Sequence, residues 1–116
     1  MNKQVEKQQS NELIRYYKVE LKPAYPELIL IVIENRGYKS IVTEESHPDL
    51  LWKIYHNGNH HWLYHELKKT KGTLDADQKT WWAKFEETDL VKGIVTKGLY
   101  AHFDGINNWL NSVLSS

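Results

Sequence analysis

A chain of 116 residues with 41% hydrophobic and 26% charged side chains has the size of one compact domain with a single core. Fifteen basic and fifteen acidic residues cancel, so no global basic surface marks a nucleic-acid binder and any such surface has to be local. The absence of cysteine excludes disulfide frameworks and thiolate metal sites, and the longest apolar run, Leu28 to Ile33, is far too short for a membrane span. The polar start, Met1 to Asn11, has no signal-peptide apolar region, so the expectation is a soluble, cytoplasmic protein.

Val5 to Leu21 carries Leu13, Ile14, Tyr17 and Leu21 at helical spacing, which predicts a helix with residues 1–10 frayed. The two prolines of Lys22-Pro23-Ala24-Tyr25-Pro26 are expected to break it. Leu28 to Ile33, apolar and β-branched, predicts a short strand buried on both faces, closed by Asn35-Arg36-Gly37. Tyr38 to Thr43 reads as another extended segment and Glu44 to Pro48 as a loop. Asp49 to His56 and Asn59 to Lys69 are joined by Asn57-Gly58, the strongest short signal for a hairpin.

After a loop from Thr70 to Leu74, Asp75 opens a helix, with Gln78 at the spacing of its reciprocal capping partner. Its stripe is Trp81, Trp82 and Phe85. The two tryptophans diverge by about 100°, so one is expected in the core and the other at a dimer contact or stacking platform. Leu90 to Thr96 predicts a last strand, and Leu99, Phe103, Ile106, Leu110 and Val113 a closing helix. The order predicts one α/β domain over residues 1–116, a small mixed sheet flanked by helices.

The hairpin carries the chemistry. With Asn57 and Gly58 as the central turn residues, positions whose numbers add to 115 face each other, and Asp49 faces Glu66. Two carboxylates about 5 Å apart on one face repel by about 3 kcal/mol at an effective dielectric near 20, so the pair asks for a proton or a cation. Mg²⁺ is held in this way, by one or two carboxylates with water and substrate phosphate completing its shell. Strand alternation puts the Lys68 ammonium on the same face. A longer turn would shift the sum to 117 and give an Asp49–Lys68 ion pair instead; geometry alone leaves both open.

Other polar signals are weaker. His61 and His65 have the spacing of helical zinc ligands, but on an extended segment they stand about 13 Å apart, and ordinary partly buried histidines are the better reading. Among the lysines near the hairpin end, Lys69 and Lys71 are the better candidates for a phosphate backbone, with Lys79 beyond them on the helix.

Pro48-Asp49, followed after a strand by Glu66-Leu67-Lys68, has the form of the PD-(D/E)xK nuclease motif. Together with Tyr25-Pro26-Glu27-Leu28, the corner Glu34-Asn35-Arg36-Gly37 and HELKKTKGTLDADQKTWW from His65 to Trp82, it makes the chain resemble the VRR-NUC branch, the virus-type replication and repair nucleases, from about Glu12 to Leu110. The resemblance implies a restriction-endonuclease-like fold and a DNA endonuclease dependent on Mg²⁺ or Mn²⁺, with no nucleotide cofactor. By the same resemblance Asp49, Glu66 and the Leu67 backbone carbonyl are metal ligands, and Lys68 is the catalytic lysine. Glu12 on the first helix is a further ligand, ahead of Glu6 and Glu20, and Gln78 faces the active site after the glycine loop at Gly72.

A stand-alone domain of this kind implies a homodimer acting on branched or junction DNA, in an intracellular setting such as a phage-infected cell. Ser46 stands where the family usually has glycine, and the segment before Pro48 is short and lacks a basic helix. Those departures bear on substrate preference more than on the chemistry; the shortened segment is what would support the alternative, a catalytically silent nucleic-acid-binding or inhibitory protein on the same fold. A purely structural interaction module would require a different hairpin register.

Overall fold

The computed structural model describes residues 2–33 and 47–115, with side chains from Lys7 onward. The Asn35-Arg36-Gly37 corner, the segment Tyr38 to Thr43, Ser46 and most of the loop before Pro48 lie outside the described residues. The elements run α1 (Asn2–Tyr16), a π-helical turn (Tyr17–Leu21), α2 (Lys22–Ala24), β1 (Leu28–Val32), β2 (Leu50–His56), β3 (Asn59–Lys68), α3 (Ala76–Lys84), β4 (Val91–Lys97) and α4 (Leu99–Leu114).

Two features of the helical start differ from expectation. Residues 2–10 are helical rather than frayed. The helix also continues through Pro23, because the Lys22 N–H reaches back five residues to the Tyr17 carbonyl. A proline ring clashes with the carbonyl four residues earlier and offers no N–H of its own, and the wider π turn relieves both demands. The chain reverses only after Ala24, where Tyr25 leaves the helical region and its N–H bonds the Leu21 carbonyl at 2.7 Å.

Four strands form one sheet in the order β1-β2-β3-β4, the first three antiparallel neighbours and β4 parallel to β3. Asn57 (φ 51°) and Gly58 (φ 81°) both sit in the left-handed region, the demand of a two-residue primed turn that Asn-Gly meets at low cost. The pairing from His56↔Asn59 to Leu50↔His65 therefore follows the 115 rule throughout. A strand parallel to its neighbour needs a crossover, and α3 supplies it between β3 and β4.

One face of the sheet carries α1 and α4 over the core, where Leu13, Leu28, Leu50, Trp52, Leu63 and Ile106 are all 0% exposed. The stripe of α4 holds as expected and adds His102 and Trp109. The first strand is not buried on both faces. It lies at the edge of the described sheet, only Leu28 is buried, and Ile29, Ile31 and Val32 are exposed.

On the other face α3 begins at Asp75, whose carboxylate accepts from the Gln78 N–H while the Gln78 side chain accepts from the Asp75 N–H, the expected capping box. Neither tryptophan of α3 enters the main core. Trp81 stacks on Phe85 (5.4 Å, 19°) and both rings meet Tyr64 of β3, while Trp82 lies over Gly93 of β4. A Cβ at Gly93 would come within 2.4 Å of Trp82 and 2.7 Å of Phe85. Gly93→Ala is therefore expected to lower stability by about 1–3 kcal/mol through overpacking, read as a fall in the urea midpoint with an unchanged slope.

Candidate active site

The hairpin brings the sequence motif to one end of the sheet. Leu50, Trp52 and Ile54 face the core, and Asp49 is the bend residue just before β2. Glu66 and Lys68 are in phase with Tyr64, which packs under α3, and share that face. The ladder's last pair is Leu50↔His65, a register that opposes Asp49 to Glu66 if continued by one step; the alternative register that opposes Asp49 to Lys68 is not formed.

Side chains fix the end of that ladder. Past the last ladder pair, the Leu67 N–H donates to a side chain, Asp49 Oδ2, at 3.0 Å. A residue's N–H and C=O point toward the same neighbouring strand, so the Leu67 carbonyl is turned to the Asp49 side as well. Asp49 is also tied into the sheet by its own carbonyl, which accepts from the Ile33 N–H at 2.9 Å. Gln78 approaches Glu66 from α3, with Nε2 3.5 Å from Oε1, while its backbone N–H and Oε1 serve the capping box. Gln78 thus makes the expected capping box and also reaches Glu66.

Burial sharpens the chemistry. Glu66 is 1% exposed and Lys68 9% exposed, against Asp49, which is half-buried. A buried carboxylate beside a second one is costly to keep charged unless a cation or donors compensate. Lys69 is half-buried just past β3, and Lys71 and Lys79 are exposed, on the loop after it and on α3.

Glu12 does not join them. It is exposed on α1, on the opposite face of the sheet from α3, and lines a groove of about 470 Å³ with Gln8, Gln9, Asn11 and Leu99. That groove lies at the same end of the sheet, because Leu99 follows Gly98, whose N–H bonds the Lys68 carbonyl at 2.9 Å. Among the described residues, no three histidine or acidic side chains are grouped closely enough to hold a metal ion.

The polar network behind the site was not legible as such. Trp52 Nε1 donates to His65 Nδ1 (3.1 Å), His65 Nε2 meets Thr96 Oγ1 (2.6 Å), Thr96 Oγ1 meets His102 Nδ1 (2.6 Å), and His102 Nε2 meets Gln9 Oε1 (3.0 Å). His65 and His102 are both 0% exposed, so His65 is not the partly buried residue expected. Burial, reinforced by the neighbouring His102, lowers the His65 pKa to about 3. Burial likewise lowers that of His102 to about 4, although the Asp49 charge pulls it upward. The sequence signal was His102 falling on the apolar stripe of the last helix.

No protein-family model, no curated protein and no solved structure matches this chain.

The donors at the end of β3 are of the kind a hard divalent cation takes. Asp49, Glu66 and the Leu67 carbonyl are hard oxygen donors, and Mg²⁺ is typically bound by one or two carboxylates while keeping several waters.

Proposed function

We propose that the protein is a metal-dependent nuclease with a restriction-endonuclease-like fold, hydrolysing nucleic-acid phosphodiesters at the end of β3. The observation that carries this reading is the hairpin register. Continued by one step, it opposes Asp49 to the buried Glu66, with Lys68 one alternation further on, and the PD and ExK residues of the sequence motif fall on those positions. The helix-first order, the antiparallel hairpin and the α3 crossover to a parallel β4 support the same fold.

Asp49, Glu66 and the Leu67 carbonyl would hold Mg²⁺ or Mn²⁺, which when bound neutralises phosphoryl oxygens and lowers the pKa of a bound water. Lys68 would stabilise charge developing on the phosphate, and Gln78 would orient Glu66. Lys69, Lys71 and Lys79 offer contacts to the phosphate backbone outside the metal site. Cleavage of DNA with a preference for branched forms, by a homodimer, belongs to this proposal through the family resemblance.

A catalytically silent nucleic-acid binder on the same fold is the second reading, favoured by Glu12 standing apart from the two strand carboxylates. A labelled panel of single-stranded, duplex, flapped and four-way DNA, incubated with Mg²⁺ or Mn²⁺ and with chelator, separates the two. The nuclease reading expects cutting that stops in chelator. Binding without cutting in either metal leaves the silent binder, and cutting that survives chelation removes the metal chemistry.

A further inference from the structure

Among the described side chains, the Lys7–Glu12 part of α1 has little to hold it. From Lys7 to Glu12 the sequence is KQQSNE, and Leu13 is the first buried apolar residue among the described side chains. Short polar helices are marginal in water without tertiary contacts. The tie in this part is Gln9, one helical turn before Leu13 and on the same face, whose Oε1 meets His102 of α4.

That bond is the end of a chain with a fixed direction. Trp52 Nε1 can only donate, so His65 accepts at Nδ1 and, being neutral, carries its proton on Nε2 toward Thr96. The single Thr96 proton then goes to His102 Nδ1, and His102 Nε2–H donates to Gln9. The Gln9 oxygen, an acceptor at the far end, demands the same direction, so each proton of the chain has one place to go. If Gln9 swung away, the buried His102 Nε2–H would lose its acceptor, and an unmade buried hydrogen bond costs more than a made one gains.

We propose that this hydrogen-bond chain is a clamp that locks the first half of α1 onto α4, with Gln9, His102 and Thr96 as positioning residues. It thereby sets Glu12 and the groove beside it relative to the end of β3. Gln9 and Glu12 are three apart on one helix, so fixing the rotation of one fixes the other. The consequence for catalysis rests on the nuclease reading; the clamp itself does not.

The chain has no cysteine, so spin labels on Asn11→Cys (α1) and Lys97→Cys (the end of β4), both exposed, report the distance directly. Gln9→Met and Thr96→Val are expected to broaden a narrow distance distribution and to speed exchange of the amides of residues 8–12 about tenfold, leaving β2 and β3 amides unchanged. Gln9→Glu, which keeps the acceptor, is expected to restore both readouts. An unchanged distribution and exchange within twofold of wild type in Gln9→Met overturns the clamp, and Gln9, half-exposed at the surface, keeps the test valid even where Thr96→Val fails to fold.

In the unlabelled protein, Gln9→Met lowers cleavage and Gln9→Glu recovers it if α1 positions part of the site. Loosened α1 with wild-type cleavage overturns the positioning role. A wild type that cuts nothing overturns the nuclease reading alone, because the distances decide the clamp independently.

Discussion

Asp49→Asn, Glu66→Gln and Lys68→Ala are each expected to reduce cleavage by at least about a hundredfold, and any two together by little more than the worse one. Groups that serve one reacting phosphate act as a unit, and once one is gone the others have little left to stabilise. Multiplying, independent losses would show that these residues do not share a site.

The same substitution at Asp49 has a second signature, on stability and free of any assay for activity. If the hairpin register carries Asp49 opposite the buried Glu66, Asn in its place removes one of two like charges when no cation is bound. An asparagine oxygen still accepts from the Leu67 N–H, the contact that Asp49 makes at 3.0 Å. Asp49→Asn is therefore expected to leave the metal-free protein equally or more stable. Asp49→Ala, which strands the Leu67 N–H, should cost about 1–3 kcal/mol.

Saturating Mg²⁺ should raise the wild-type unfolding free energy by about 2.7 kcal/mol at a hundredfold excess over Kd, and Asp49→Asn should lose that response. A metal-free Asp49→Asn protein that melts below wild type, with a wild type indifferent to Mg²⁺, would remove the paired-carboxylate site.

The hairpin was legible because Asn57-Gly58 states its turn type and strand alternation then fixes every partner. The capping box was legible for a similar reason, since Asp75 and Gln78 act over one turn of chain. What failed to read were properties decided at a distance. β1 has the composition of a doubly buried strand, but its burial depends on its place at the edge of the described sheet. Gln9, within the stretch expected to fray, has its hydrogen-bond partner 93 residues away in α4. Pro23 would end a regular α-helix; the π turn before it depends on backbone geometry that no residue type announces. Glu12 was assigned through the family's helix position, and its helix packs on the other face of the sheet from α3.

The buried histidines make the second large prediction, a loss of stability in mild acid. His65 and His102 titrate near 3 and 4 in the folded protein, both depressed chiefly by burial, against an ordinary value near 6.5. Below about pH 6.5 the unfolded chain takes up protons that the native state refuses, so the stability that these residues confer is complete above that pH. It falls as the pH drops toward 4, by up to about 1.4 kcal/mol per pH unit for each histidine. The two rings lie 6.0 Å apart, and a charge on one opposes a charge on the other in the folded state, which keeps native protonation late.

The urea midpoint is thus expected to fall steeply between pH 6.5 and 4.5, most of it before carboxylates with ordinary values begin to titrate. Replacing His102 with Asn removes one titrating ring and should roughly halve that slope, even if it lowers the midpoint at every pH. Nitrogen-15 spectra of the folded protein should show both imidazoles neutral, with the proton on Nε2, from pH 7 down to 5. A midpoint that stays level from pH 7 to 5, or imidazole shifts that move with a value near 6.5, would mean that the chain from Trp52 to Gln9 is not the closed, dry network described above.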